Sequence, residues 1–69
     1  MKTVEYRYRI KEYREKLKMT QEELAAKSGV SRTIISGLEQ GKIKTTTTKT
    51  IISIAEALNT TVGEIFLQD

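Results

Sequence analysis

The chain has 69 residues with no cysteine, histidine or proline, so it has no disulfide framework, no thiolate nucleophile, no cysteine-ligated zinc and no imidazole for acid–base work. The formal charge of +3 is gathered at the N-terminal end, where Lys2, Arg7, Arg9, Lys11, Arg14, Lys16 and Lys18 face only Glu5, Glu12 and Glu15; a mild basic surplus suits a polyanion partner without establishing one. A chain of this size forms one small domain burying about 60% of its unfolded surface; it has no apolar run near the roughly 18 residues of a membrane span and no signal-peptide core, so a cytoplasmic location is expected.

In chain order, Val4, Tyr6, Tyr8 and Ile10 alternate with Glu5, Arg7 and Arg9, a period-two strand signal. A helical reading competes from Arg9 onward, because Ile10, Tyr13 and Leu17 recur at three- and four-residue spacing. The spacing predicts a first helix over residues 8–18, preceded by an extended arm or short strand. Thr20, with Glu23 three residues on, forms a capping box for a second helix running to about Lys27. Gly29 supplies a left-handed turn, Ser31 caps a third helix, and Gly41 ends it. Residues 42–48 (KIKTTTT) read as a polar, β-branched connection of poor helix propensity. A fourth helix over residues 49–58 is carried by Ile51, Ile52, Ile54, Ala55 and Leu58, with Asn59 as its left-handed stop. Thr61 and Glu64 form a second capping box for a short fifth helix ending near Leu67. The fold class is all-α: a compact five-helix bundle, with residues 1–8 as the arm and residues 9–69 as the domain.

The stretch from Gln21 to Gln40 carries the chemistry. Leu24, Ala25, Val30, Ile35 and Leu38 supply an apolar side for two helices crossing at Gly29, and Ala25 is small where the backbones meet. Ser31, Arg32, Thr33, Ser36 and Gln40 leave the second of these helices one polar face. This is a helix-turn-helix, whose second helix fits the major groove of DNA. Catalysis finds no support: Glu22 and Glu23 are adjacent on a helix and diverge by roughly 100°, and neither a phosphate-cradling glycine loop nor metal-ligand spacing occurs. No cofactor, metal or small-molecule ligand is expected.

The order Gln21, Leu24-Ala25, Gly29-Val30-Ser31, Arg32-Thr33, Ile35-Ser36, Leu38-Glu39, Gly41-Lys42 resembles the Cro/C1-type (XRE) helix-turn-helix family. Ile54-Ala55-Glu56-Ala57-Leu58 and Val62-Gly63-Glu64-Ile65-Phe66 are similar to that family's last two helices, so the resemblance covers about residues 9–67. It implies a lambda repressor-like five-helix bundle, a homodimer, and helix 3 in the major groove. It also implies groove-facing roles for Arg32, Thr33, Ser36 and Gly37, a phosphate-holding role for Gln21, and backbone contacts from Lys42 and Lys44. Arg14 and Glu39 match a buried ion pair of some phage repressors. The chain departs from the family in three places. Its loop lacks the usual proline and is one residue longer, Gly37 replaces a longer side chain, and the arm exceeds the shortest members.

Arg32 can reach guanine O6 and N7 with two hydrogen bonds, worth about 1–3 kcal/mol of discrimination; the plainer alternative is a solvated arginine. Thr33 and Ser36 can meet a thymine methyl, a base edge or a phosphate, or can be ordinary helix surface. Gly37 either lets the backbone approach the groove or is merely tolerated. Gln21, Gln40, Lys42 and Lys44 are candidates for the phosphate frame, against a solubilising role for the lysines. Phe66 and Leu67 are the candidate dimer interface, with completion of the core as the alternative. The expected function is a sequence-specific DNA-binding regulator, a repressor, acting on a palindromic operator. An antitoxin or adaptor that uses the same fold to hold another protein is the alternative.

Overall fold

The computed structural model describes the backbone of residues 6–43 and 46–68, and the side chains of residues 8–43 and 46–65. Five helices occur among the described residues: α1 (Ile10–Lys16), α2 (Gln21–Ser28), α3 (Arg32–Gln40), α4 (Thr48–Ala57) and α5 (Val62–Ile65). Two short strands, β1 (Tyr6–Tyr8) and β2 (Phe66–Gln68), pair antiparallel with Tyr6 opposite Gln68 and Tyr8 opposite Phe66.

Each helix is delimited by local chemistry. The Thr20 hydroxyl accepts the Glu23 N–H at 3.0 Å while the Glu23 carboxylate accepts the Thr20 N–H at 2.8 Å, so two otherwise unpaired amides are satisfied reciprocally. Ser31 and Thr47 accept the N–H of Ile34 and Thr50 in the same way at the starts of α3 and α4. Gly29 and Gly41 stop α2 and α3 with φ of 74° and 79°, a left-handed conformation that a side chain would strain. Asn59 takes the same conformation after α4, with φ of 59°.

The core is one cluster. Ile10 from α1, Leu24 from α2, Ile35 and Leu38 from α3, Ile51, Ile54 and Ala55 from α4 and Ile65 from α5 are buried, with Val30 from the turn and Leu58 behind α4. α2 packs on both α3 and α4, α1 on α3, and α5 on α4. This arrangement leaves one side of α3 free of other helices.

Four local expectations are corrected. α1 is shorter than residues 8–18, because Lys18 turns left-handed (φ 55°) and the Met19 N–H closes back on the Arg14 carbonyl at 3.0 Å. Leu17 therefore leaves the helical stripe and is exposed. Ile52 is exposed as well, since the buried stripe of α4 follows positions 51, 54, 55 and 58, and 52 lies about 100° round from 51. α5 ends at Ile65 rather than near Leu67, because residues 66–68 pair with β1 instead of continuing the helix. At the start of α5 the Thr61 hydroxyl accepts the Glu64 N–H at 3.3 Å, while the Glu64 carboxylate accepts from the Tyr13 hydroxyl at 2.9 Å.

Candidate nucleic-acid interface

α3 is strongly two-sided. Ile35 and Leu38 point into the core, whereas Arg32, Thr33 and Gln40 are exposed and Ser36 is half-buried. A shallow open groove on this side is lined by Arg32, Thr33, Ser36, Gly37, Gln40, Lys42 and Ile43. Two cations and several neutral hydrogen-bonding groups line it, and among the described residues no carboxylate does, so its chemistry suits an anionic, hydrogen-bonding surface. The Gln40 amide donates to the Ser36 hydroxyl at 3.1 Å, which leaves the serine proton as a donor. Ser31, the N-cap, is spent on the Ile34 N–H through its side-chain oxygen.

Behind the groove stands a chain of polar contacts. The Arg14 guanidinium donates to Glu39 at 2.8 and 3.1 Å and to the Met19 carbonyl at 2.8 Å. The Gln21 Nε2 donates to the same Glu39 carboxylate at 3.0 Å, and the Gln21 Oε1 accepts from Arg32 Nε at 3.3 Å. The orientation of the Gln21 amide follows from its neighbours: a carboxylate requires the nitrogen on one side, and a guanidinium requires the oxygen on the other. Hydrogen bonding to Glu39 raises the Arg14 pKa, with burial opposing it. Arg32 also lies 3.9 Å from Glu22, an exposed pair that solvent screens and that holds the arginine only loosely.

Gln21, Ser31, Arg32, Thr33, Ser36, Gly37, Gln40 and Lys42 thus lie on or immediately behind one surface. Lys44 lies outside the described residues, as do the side chains of Phe66 and Leu67, whose backbones belong to β2. Gly37 lines the groove yet is buried, because Ile43 lies over it. Ile43 lines the same groove without being among the expected site residues; the sequence signal for it is that it is the lone apolar side chain in the KIKTTTT stretch.

Comparison with known proteins agrees with this geometry. A family profile described as helix-turn-helix matches residues 10–65. Two relatives from Archaeoglobus fulgidus, each named an uncharacterized HTH-type transcriptional regulator, are 46% and 43% identical over 63 residues, covering 91% of this chain and 87% and 89% of their own lengths. No helix among the described residues is long and apolar enough to cross a membrane. With its two capped helices meeting at Gly29 and an exposed polar face on the second, the chain belongs to the Cro/C1-type helix-turn-helix family, a family of DNA-binding regulators and not of enzymes.

Proposed function

We propose that the protein is a sequence-specific repressor that binds a palindromic operator as a homodimer, with α3 in the major groove. The carrying observation is the groove on the free side of α3, lined by Arg32, Thr33, Ser36, Gln40 and Lys42, with no carboxylate among the described residues that line it. Arg32 reads a base edge near the start of the helix, while Gln21, Gln40, Lys42 and Lys44 hold phosphates and set the register. Repression needs nothing further than occupancy of the operator. Phe66 and Leu67 are the proposed dimer contacts. An isolated two-stranded ribbon is marginal in water, which favours its burial against a second copy.

Selection from a random duplex pool, followed by sequencing of the retained DNA, tests this reading. The expected product is a palindrome with half-site centres one helical turn apart, bound with an affinity that falls steeply with salt. An unenriched pool would overturn the reading, and an enriched site without two-fold symmetry would overturn the dimer.

A further inference from the structure

The segment that leaves α3 folds back on the helix. The N–H groups of Lys42 and Ile43 both donate to the Gly37 carbonyl, at 2.9 and 3.0 Å. The Ile43 side chain is thereby laid over Gly37: a Cβ at position 37 would stand 2.5 Å from Ile43 Cδ1 and 2.7 Å from Cγ1. Glycine is the residue that leaves this space, and isoleucine occupies it. Ile43 is nevertheless only half-buried, and it lines the same groove as Arg32, Thr33, Ser36, Gln40 and Lys42. Among the described residues lining that groove, its side chain is the one aliphatic group.

We propose that Ile43 is a base-reading residue that meets the C5-methyl of a thymine in the major groove, in the place where a side chain at position 37 would otherwise project. The proposal rests on the DNA-binding reading above and adds a residue and a base to it. Among the groups that base pairs present in the major groove, the thymine methyl is the apolar one, and it is met by side-chain carbon rather than by a hydrogen-bonding group. An aliphatic group on a backbone placed by two hydrogen bonds gains from removing that methyl, and its own exposed end, from water. The polar groups beside it would read or position neighbouring bases and phosphates. A loop residue would in this way act as part of the recognition helix.

The test starts from the site enriched by the wild-type protein. Each thymine is replaced in turn by deoxyuridine, which removes only the 5-methyl group, and affinity is measured for wild type, Ile43→Ala and Ile43→Thr. The expected result is one thymine per half-site whose methyl is worth about fourfold to the wild type, as for one buried hydrocarbon group, and clearly less to either variant, since both lack the outermost carbon of the isoleucine. Because each protein is compared with itself on two DNAs, an overall weakening from a displaced loop cancels. Ile43→Thr keeps the branched shape and guards against misfolding of the alanine variant. Equal sensitivity to uracil in wild type and variants, or no sensitivity at any thymine, would overturn the proposal and leave Ile43 as an anchor of the loop. A wild-type protein that enriches no sequence would instead overturn the DNA-binding reading, and Ile43 would lose its ligand with it.

Discussion

Arg14 on α1 and Glu39 on α3, 25 residues apart in sequence, are joined by two hydrogen bonds of 2.8 and 3.1 Å, with the two side chains only 12% and 3% exposed. This fork-to-fork geometry fixes both groups in orientation as well as distance. It also pairs a carboxylate that lies behind the proposed DNA surface, and that carboxylate in turn holds the Gln21 amide. The pair is therefore a positioning device between helix 1, the helix-turn-helix and the proposed DNA surface.

Removing one member of this pair leaves the other charge buried without its partner. Arg14→Ala or Glu39→Ala is expected to cost about 3 kcal/mol or more in urea unfolding, a large share of the stability of so small a domain. The double replacement Arg14→Met with Glu39→Leu is expected to unfold close to the wild-type midpoint, because it removes both buried charges while filling the space. Its DNA affinity should still fall, since Gln21 loses the carboxylate that orients it. A double variant as unstable as the singles would show that the pair stabilises outright.

Arg32 is held by Gln21 and more loosely by Glu22, and it must leave at least Glu22 to touch DNA. Arg32→Ala is expected to leave the unfolding midpoint within about 0.5 kcal/mol, as for an exposed site. It should relax base preference at one position per half-site by about 1–3 kcal/mol in a competition binding assay. Uniform weakening on every sequence would make Arg32 a phosphate contact. Glu22→Gln, which removes a competing carboxylate, should tighten binding.

Gly37→Ala sets two effects against each other. Alanine favours the helix by about 1 kcal/mol, but its Cβ would lie 2.5 Å from Ile43 Cδ1. Overpacking of this kind costs about 1–3 kcal/mol, so the substitution should be destabilising or neutral alone and stabilising in an Ile43→Ala background. A double-mutant cycle by urea unfolding measures the coupling. Gly37→Ala more stable than wild type with Ile43 in place would show that the loop moves aside freely.

Tyr13 joins α1 to α5 by donating its hydroxyl to Glu64 at 2.9 Å, with Lys16 and Arg9 lying 5.1 and 5.6 Å from its ring centre. The hydrogen bond to Glu64, followed by burial, raises the phenol's pKa above its ordinary value of 10.0. A pKa raised by folding gives stability that is fully present below the unfolded value and is lost as pH climbs through the folded one. Wild type should therefore be more stable than Tyr13→Phe at neutral pH, and the gap should close as pH rises above about 10. A gap independent of pH would assign the difference to something other than this proton.

Much of the fold was legible because its signals are local. The Thr20–Glu23 capping box, the serine cap at Ser31 and the left-handed positions Gly29, Gly41 and Asn59 each depend on residues within one helical turn. The buried stripe of Leu24, Val30, Ile35, Leu38, Ile51, Ile54 and Leu58 follows from periodicity, which a reader of the sequence can count. Ile52 and Leu17 mark the limit of that counting: apolar character alone does not say which side of a helix faces inward, or where the helix stops.

The sequence by itself determined the five helices, the turn between α2 and α3, and the polar residues presented by α3, since hydrogen bonds and dihedral preferences close over three or four residues. Tertiary structure decided what lies far apart along the chain. Residues 66–68 became a strand rather than a helix end because they pair antiparallel with β1, nearly sixty residues earlier. Gly37, a lining residue of the groove, became the seat for Ile43, and Gln21 was oriented between Arg32 and Glu39. These outcomes depend on which surfaces meet, and that is set only when the packed core fixes the helices against one another.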